Sequence, residues 1–396
     1  MRTSFYGKES KVKNILYLHA GAEMYGADKI LLELVTGLDK SKYRPIVVLP
    51  ENGILVEKLR EVGIEAYVVE YPILRRKYFN PRGIAEYATH YSSSSKEIMH
   101  LLKDKGIKID IIHVNTTAVL EGIYLKRKLQ AKLLWHVHEI ILKPKLIYKF
   151  ISYLIGKYAD ECIVVSEAVK KHLINSKLID PKRIKVIYNG VDSETFSPDV
   201  DYGYLLQEWN IPQNSIKVGV IGRLNAWKGQ NDFLDAAEPL LAEYEDLYLF
   251  VIGSPFAGQE WRLTDLKKRI AQSKFHDRII FSEFRKDNAA VHNLLDILVL
   301  PSTNPDPLPT VVLEAMASGK PVVGYAHGGI CEMVISRENG LLAKVNDPVD
   351  MRQKINELVN SKKKRIKFGK ASRKRQLDNF SLISFIEAFE RSYNEL

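Results

Sequence analysis

Short apolar runs alternate with amphipathic stretches along the whole chain. The runs have the length of buried strands, and the stretches between them carry the 3.6-residue apolar repeat of helices that cover a sheet. This alternation predicts repeated strand–helix–strand units, and therefore an α/β fold with parallel sheets. The predicted strands form two successive groups: residues 15–19, 46–49, 66–69, 109–114, 133–137, 162–165 and 184–187, then residues 217–221, 247–252, 278–281, 297–300, 321–324 and 341–343.

A polar, turn-rich stretch over residues 189–215 separates the two groups of strands and has the composition of an interdomain linker. A chain of 396 residues also exceeds what one ordinary core accommodates. We therefore predict two α/β domains, over residues 1–195 and 196–380, followed by a terminal helix over 381–396. The terminal helix has an apolar stripe that must pack on another surface: Phe385, Ile386, Phe389 and Tyr393.

The net charge of +10 is concentrated in the first half of the chain. Residues 1–200 hold 32 basic and 23 acidic side chains, whereas the remainder holds 26 and 25. This charge favours an anionic partner such as a membrane surface, a phosphorylated acceptor or nucleic acid. A basic surface that only keeps the protein in solution explains the same charge equally well.

Composition also sets limits on the kind of protein. The first fourteen residues are polar, and no apolar run approaches the roughly 18 residues of a membrane span. We therefore expect a cytoplasmic protein without a signal peptide. The two cysteines, Cys162 and Cys331, argue against a disulfide framework or a cysteine-rich metal site.

Three loops between a strand and a helix carry candidate chemistry, because ligands of doubly wound sheets bind beyond the carboxyl ends of the strands. The first loop, GAEMYG at 21–26, leaves backbone N–H groups at a helix start available to an anion. It lacks the G-x-G-x-x-G dinucleotide fingerprint, and an ordinary tight turn is the alternative interpretation. Its candidate residues are Gly21, Ala22, Tyr25 and Gly26.

The second loop follows the first strand of the second half. Gly222 permits the turn, and Arg223 and Lys228 lie five residues apart on a short loop. Two such cations can clamp a diphosphate, the arginine in a bidentate manner and the lysine as a point charge. The alternative is a pair of solvated surface cations.

The third loop contains two carboxylates on either side of a predicted helix start. Asp306 precedes the helix, Glu314 lies about one turn inside it, and prolines stiffen the approach. Carboxylates so placed can accept hydrogen bonds from sugar hydroxyls, while the helix start faces an anion. The alternative is a capping carboxylate with a solvated glutamate. Between the two acids lie Leu308, Pro309 and Thr310.

Together these motifs resemble family 4 of the retaining glycosyltransferases, which have the GT-B fold. The resemblance extends from about residue 14 to 393, and its most specific part is the E-x7-E motif, here Asp306-x7-Glu314. Supporting segments are Gly-Arg-Leu at 222–224 with Lys-Gly at 228–229, and VIYNGVD at 186–192. The resemblance implies two Rossmann-like domains facing across a cleft, the first binding the acceptor and the second the nucleotide-sugar donor. It also implies that the terminal helix crosses back onto the first domain.

The resemblance implies a role for each candidate. Glu314 would bind the ribose, Asp306 the hydroxyls of the donor sugar, and Arg223 and Lys228 the leaving diphosphate. His138, in WHVHE at 135–139, matches the family histidine near the scissile bond, although a structural histidine is the alternative. We expect His136 to point the other way and rank it lower.

Two departures from the family pattern concern the same loops. The first acid of the motif is Asp306, one methylene shorter than the usual glutamate, and the first loop begins Gly21-Ala22 rather than Gly-Gly. The resemblance implies no metal and no cofactor. The only D-x-D, at Asp199 and Asp201, lies in the predicted linker, which argues against the metal-dependent architecture.

The resulting prediction is a retaining glycosyltransferase that moves a sugar from a nucleoside diphosphate sugar to a glycan, a lipid-linked or another hydroxyl acceptor. It would serve cell-surface polysaccharide or glycoconjugate synthesis, and catalysis would require domain closure. Hydrolysis or epimerisation of a nucleotide sugar on the same fold stays open. A non-catalytic nucleotide-sugar binder is a further alternative, and no motif supports a nucleic-acid binder. An amphipathic segment over 144–158 also allows weak contact with an anionic membrane, or a core-facing helix with a basic outer face.

Overall fold

The computed structural model describes residues 12–24 and 26–396, which form two compact units. The first unit comprises the described residues up to Val165, Val169–Ile187 and Phe385–Leu396, and the second comprises Ser166–Ala168 and Tyr188–Ser384. Each unit is an α/β structure built on one parallel sheet, so the predicted fold class is confirmed.

The sheet of the first unit has seven strands among the described residues, in the order β3-β2-β1-β4-β5-β6-β7. Every neighbouring pair is parallel. The order reverses at β1, so β1 and β4 are neighbours at the switch point. The strands are β1 Lys13–Leu18, β2 Tyr43–Leu49, β3 Glu65–Val68, β4 Ile111–Val114, β5 Lys132–Val137, β6 Glu161–Val164 and β7 Ile184–Val186.

The sheet of the second unit has six described strands in the order β10-β9-β8-β11-β12-β13, again all parallel. Its switch point lies between β8 and β11. The strands are β8 Ile216–Ile221, β9 Leu247–Ile252, β10 Ile279–Ser282, β11 Ile297–Leu300, β12 Val322–Tyr325 and β13 Gly340–Ala343.

Helices connect successive strands and cover the sheets. The helices before residue 200 are α1 Gly26–Gly37, α2 Ile54–Glu61, α3 Pro81–Asp104, α4 Glu121–Leu129, α5 Lys145–Tyr158 and α6 Glu167–Ile174. Those that follow are α7 Gly203–Glu208, α8 Gln230–Ala237, α9 Trp261–Gln272, α10 Asn288–Leu294, α11 Thr310–Ala317, α12 Ile330–Met333, α13 Pro348–Val359, α14 Lys362–Asn379 and α15 Leu382–Glu395.

The strand cores are buried because their side chains are apolar on both faces, as parallel sheets require. Residues Ile15 to Leu18 of β1 and Leu249 to Val251 of β9 have no exposed surface. All thirteen predicted strands therefore occur, with bounds that differ by at most a few residues.

The predicted boundary at 195/196 lies inside the second unit, whose long segment begins at Tyr188. The segment around Val191 is tied to helix α14 and its end: the Val191 N–H donates to the Phe380 carbonyl at 3.1 Å, and the Gln376 amide donates to the Val191 carbonyl at 3.0 Å. These long-range hydrogen bonds, invisible in local composition, make the start of the predicted linker part of a folded unit.

The terminal helix α15 packs within the first unit from Phe385 onward. Phe385, Phe389 and Tyr393 are at most 2% exposed, and the Tyr393 hydroxyl contacts the Tyr17 hydroxyl at 2.9 Å. The apolar stripe thus closes the core beneath β1. Within residues 12–24 and 26–396, every helix is too short or too polar to span a membrane.

Candidate functional site

The loop after β8 is held tightly, and this places Lys228. The Asn225 side-chain oxygen accepts hydrogen bonds from the Trp227 and Lys228 N–H groups at 3.0 and 2.8 Å. Gly229 has a φ of 73°, and a Cβ there would lie 1.9 Å from the carbonyl oxygen of Pro301, so only glycine fits. The lysine therefore projects from a fixed backbone just before α8.

Lys228 and Asp306 meet although 78 residues separate them. The lysine Nζ lies 2.5 Å from Asp306 Oδ2, and the two side chains are 20% and 9% exposed. They meet because β8 and β11 are neighbours at the switch point, and each loop follows the carboxyl end of its strand. The second and third predicted loops are therefore one site.

Asp306 is positioned by its backbone. Its carbonyl accepts a hydrogen bond from the Gly329 N–H at 2.8 Å. Gly328 has a φ of 68°, and a Cβ there would lie 2.4 Å from the Asp306 carbonyl oxygen. This close approach presses the Asp306 loop against the turn before α12 and fixes the carboxylate beside Lys228.

Arg223 lies on the same loop as Lys228. Its guanidinium carbon stacks 3.6 Å above the ring centroid of Phe256, and its carbonyl accepts a hydrogen bond from the Gln230 amide at 3.1 Å. Stacking on an aromatic face orients the planar cation without removing its charge. Gly222, which precedes it, has a φ of 157° and follows directly on β8.

The start of α11 matches the sequence prediction. Pro309 is the cap residue, Thr310 is the first helical residue, and Leu308 is only 5% exposed beneath the turn. Glu314 follows one turn inside and is also 5% exposed. Its Oε2 lies 3.0 Å from Nε2 of His292, a fully buried residue of α10 that sequence reasoning missed.

In the first unit, the residues at the ends of β1, β4 and β5 form a hydrogen-bonded cluster. Asn115 Nδ2 lies 3.1 Å from His19 Nδ1, and Asn115 Oδ1 lies 3.1 Å from His138 Nε2. His19 Nε2 in turn contacts Asp28 Oδ1 at 2.6 Å. Because these three strands are adjacent at the switch point, their carboxyl ends bring the polar residues together.

The contact between Asn115 and His19 sets the position of one ring hydrogen. The Asn115 amide nitrogen can only donate, so His19 accepts at Nδ1 and carries its hydrogen on Nε2, toward Asp28. Nε2 of His138 lies 3.1 Å from the Asn115 oxygen and 3.2 Å from Nδ1 of His136. Burial, then the neighbouring His19, lowers the pKa of His138 to about 3, which keeps the ring neutral.

The expected orientation of His136 is wrong. Its ring lies beside that of His138, with centroids 3.9 Å apart, and its Nδ1 lies 3.0 Å from the same Asn115 oxygen. Residues two apart on a strand project to the same face, so the two rings had to be neighbours. His136 is fully buried, whereas His138 is partly exposed.

The first predicted loop lies near this cluster. Gly21 and Ala22 follow β1, and the Ala22 carbonyl accepts a hydrogen bond from the Leu55 N–H at 3.0 Å. Gly26 begins α1, which carries Asp28. Tyr25 lies outside the described residues.

Sequence motifs also did not identify Glu139, the residue after His138, as part of the site. Its carboxylate accepts hydrogen bonds from the Thr116 hydroxyl at 2.5 Å and the Thr117 N–H at 3.2 Å. These bonds join the loop after β5 to the loop after β4, and burial raises the pKa of Glu139.

Over residues 12–24 and 26–396, no group of three or more His, Cys, Asp or Glu side chains is arranged to hold a metal ion. Of the D-x-D pair, Asp201 accepts a hydrogen bond from the Gly203 N–H at 2.9 Å.

Comparisons with known proteins agree with these features. The family model for glycosyl transferases group 1 matches residues 205–375, and the model for Glycosyltransferase Family 4 matches residues 24–195. An uncharacterised glycosyltransferase of Methanocaldococcus jannaschii is 28% identical over 309 residues, which is 73% of this chain and 76% of that protein. An Escherichia coli UDP-Gal:α-D-GlcNAc-diphosphoundecaprenol α-1,3-galactosyltransferase is 23% identical over 400 residues and 98% of each chain.

Among solved structures, Anabaena HepE in complex with UDP superposes with a TM-score of 0.82 at 22% identity, covering 97% of this chain and all of that one. Two parallel-sheet units of this kind have the GT-B fold. The two glycosyltransferase family models together cover most of the chain, which therefore belongs to glycosyltransferase family 4.

Proposed function

We propose that the protein is a retaining hexosyltransferase that uses a nucleoside diphosphate hexose and a sugar hydroxyl on a lipid-linked acceptor, in cell-surface polysaccharide synthesis. The observation that carries the proposal is the Lys228–Asp306 pair, with its 2.5 Å contact at the switch point of the second unit. It sets a cation and a hydroxyl-binding carboxylate side by side, as a sugar diphosphate requires.

Two relatives support the choice of substrates. HepE has been crystallised with UDP and with UDP-glucose, and the E. coli relative acts on a sugar carried by diphosphoundecaprenol. We assign the donor to the second unit and the acceptor to the first. Glu314 binds the ribose, and Asp306 binds hydroxyls of the hexose.

In the proposed reaction, the bond between the anomeric carbon and the diphosphate oxygen breaks, and its electron pair leaves with the diphosphate. The acceptor oxygen bonds to the same carbon, and its proton passes to the departing diphosphate. Lys228, Arg223 and the start of α11 stabilise the growing negative charge, which is the largest catalytic contribution at such sites. We therefore propose that no metal or cofactor is required.

We propose that the neutral His138 contacts a sugar hydroxyl. Its Nε2 lies 3.1 Å from the Asn115 oxygen and 3.2 Å from His136 Nδ1, so Nδ1 is the ring nitrogen that these contacts leave for a substrate. A neutral ring also avoids adding positive charge beside an oxocarbenium-like transition state. We assign the loop after β1, with Gly21, Ala22 and Gly26, to anion or acceptor binding through its backbone N–H groups.

A basic helix of the first unit supports membrane contact. On α5, Leu146 is 77% exposed and Phe150 46% exposed, and each directly follows an exposed lysine, Lys145 or Lys149. Apolar side chains flanked by lysines suit the surface of an anionic bilayer. We propose weak peripheral attachment at the cytoplasmic face of the cell membrane, where a lipid-linked acceptor is found.

The reaction is tested by incubating the protein with ¹³C-labelled UDP-glucose, UDP-galactose or GDP-mannose and a polyprenyl diphosphate-linked N-acetylglucosamine, with and without EDTA. We expect the label on an acceptor hydroxyl, with the donor's anomeric configuration by NMR and no effect of EDTA. An inverted linkage would exclude retention, and activity lost to EDTA and restored by Mg²⁺ would exclude a metal-free reaction. Label released only as free sugar or as an epimerised donor would identify a hydrolase or an epimerase.

A further inference from the structure

His292 lies directly behind the Glu314 carboxylate. It belongs to α10, which precedes β11, whereas Glu314 belongs to α11, which follows that strand. The histidine is 0% exposed, its Nε2 lies 3.0 Å from Glu314 Oε2, and Phe196 packs edge-on with ring centroids 5.8 Å apart. A fully buried imidazole with a single polar contact is poorly explained by packing alone.

The direction of this hydrogen bond follows from the other ring nitrogen. Nδ1 of His292 is buried and has no hydrogen-bond partner in the part of the chain that the structure describes. A hydrogen on Nδ1 would be a buried donor without an acceptor, and such unsatisfied buried donors are rare because they cost free energy. The ring therefore carries its hydrogen on Nε2 and donates it to Glu314, and Glu314 accepts as a carboxylate.

We propose that His292 is a positioning residue that gives the site its selectivity for ribonucleotides, by holding the Glu314 carboxylate in the orientation that accepts ribose hydroxyls. A neutral donor fixes the carboxylate without neutralising it, whereas a lysine or arginine at the same place would compete for its charge. The inference rests on the proposed binding of the nucleotide ribose by Glu314.

The test compares ribonucleotide and deoxyribonucleotide binding by calorimetry, with whichever of UDP, GDP and ADP binds most tightly and its 2′-deoxy and 3′-deoxy analogues. His292→Gln keeps an N–H donor near the Nε2 position, His292→Asn places its amide near Nδ1, and His292→Phe keeps only the ring volume. His276→Phe, on a half-exposed histidine of the same unit, is the matched control.

We expect the wild-type protein to prefer the ribonucleotide over at least one deoxy analogue by about 10- to 100-fold, the value of a hydrogen bond to a charged group. His292→Asn and His292→Phe should lose most of this preference, with deoxy-nucleotide affinity unchanged, and His292→Gln should retain it. Equal weakening of ribo- and deoxyribonucleotide binding, or an unchanged preference, would overturn the inference.

Glu314→Gln separates this inference from the function on which it rests. If Glu314→Gln leaves the ribose preference intact, Glu314 does not bind the ribose and the proposed site is wrong. If Glu314→Gln abolishes the preference while both His292→Asn and His292→Phe keep it, the site stands and only the role of His292 fails. The Asn and Gln variants are both polar and smaller than histidine, so they keep the comparison valid should His292→Phe not fold.

Discussion

At the scale of single residues, Asp306 shows how the backbone can position a short side chain. Its backbone is drawn in by the Gly329 N–H at 2.8 Å and by the close approach of Gly328, and its carboxylate reaches Lys228 at 2.5 Å. The missing methylene therefore does not separate the carboxylate from the cation. We infer that loop position, more than side-chain length, sets the reach of the first motif acid.

Asn115 lies beside the His138 ring, and Asn115→Asp tests how a charge at this position changes the protonation of His138. A carboxylate 3.1 Å from His138 Nε2 should raise the pKa of the ring from about 3 toward neutrality. Transfer should then fall on acidification, about tenfold for each unit by which that pKa exceeds the assay pH, whereas the wild-type ring stays neutral from pH 5 to 9. NMR titration of His138 and rates at pH 6 and pH 8 measure both effects.

The same substitution has a stability signature whose sign is fixed. In the wild-type protein the pKa of His138 is lower in the folded state than in the unfolded chain. Below pH 6.5 the unfolded chain therefore binds a proton at His138 that the folded protein does not bind. His138 thus lowers the free energy of unfolding as the pH falls. Asn115→Asp should reduce this loss between pH 6.5 and 4. Asn360→Asp, the same change at the exposed end of α13, is the control variant and should alter neither the His138 titration nor the pH dependence of stability. If His138 titrates in Asn115→Asp as it does in the wild-type protein, residue 115 does not influence the protonation of His138.

Sequence motifs found some site residues and missed others for a physical reason. Lys228, Asp306 and Glu314 sit in loop or helix-start patterns whose spacing carries chemical meaning. His292 and Asn115 stand in no recognisable motif, and only their partners, 22 and 23 positions away, show what they contact. Such pairs are set by strand order, which a local pattern does not encode.

At the scale of elements, strands were the most predictable feature. Parallel strands buried on both faces read as uninterrupted apolar runs, and each of the thirteen runs is a strand. Helix ends followed caps and glycines, as at Pro309 and Gly319 around α11. The structured start of the linker was missed because its order depends on hydrogen bonds to α14, more than 180 residues away.

Helix α5 has a second face that packing does not use. Ile151, Leu154 and Ile155 are buried, whereas Leu146 and Phe150 are exposed. We predict that Leu146→Ser with Phe150→Ser abolishes binding to phosphatidylglycerol vesicles at low salt, because both the apolar contact and the lysine attraction need the helix at the surface. Sedimentation with vesicles measures it, and wild-type binding should also fall as salt rises.

The control for α5 changes two exposed apolar residues elsewhere. Leu377 and Ile383 are 44% and 72% exposed, and their replacement by serine should leave vesicle binding unchanged. If the wild-type protein does not bind anionic vesicles at low salt, the proposed membrane contact is wrong.

At the scale of the whole molecule, the two units use one principle twice. Each places its polar residues at the switch point of a parallel sheet, around β1 and β4 in the first unit and around β8 and β11 in the second. The repeated strand pattern predicted this duplication. The return of Phe385–Leu396 to the first unit followed from the family resemblance and the apolar stripe, since periodicity alone identifies a buried face but not its partner.

The most direct measurement of the central claim is donor turnover and donor affinity in Lys228→Ala and Glu314→Ala. Both variants should fold, because each change removes a side chain near a loop or helix start and leaves the sheet intact. If Lys228 stabilises the leaving diphosphate as proposed, its removal should lower kcat by about 10²–10³, and Glu314→Ala should chiefly weaken donor binding. Lys374→Ala, on a lysine side chain that is 77% exposed in α14, is the control and should behave as wild type. Wild-type-like turnover in folded Lys228→Ala, or wild-type-like donor affinity in folded Glu314→Ala, would contradict a nucleotide-sugar site at this switch point.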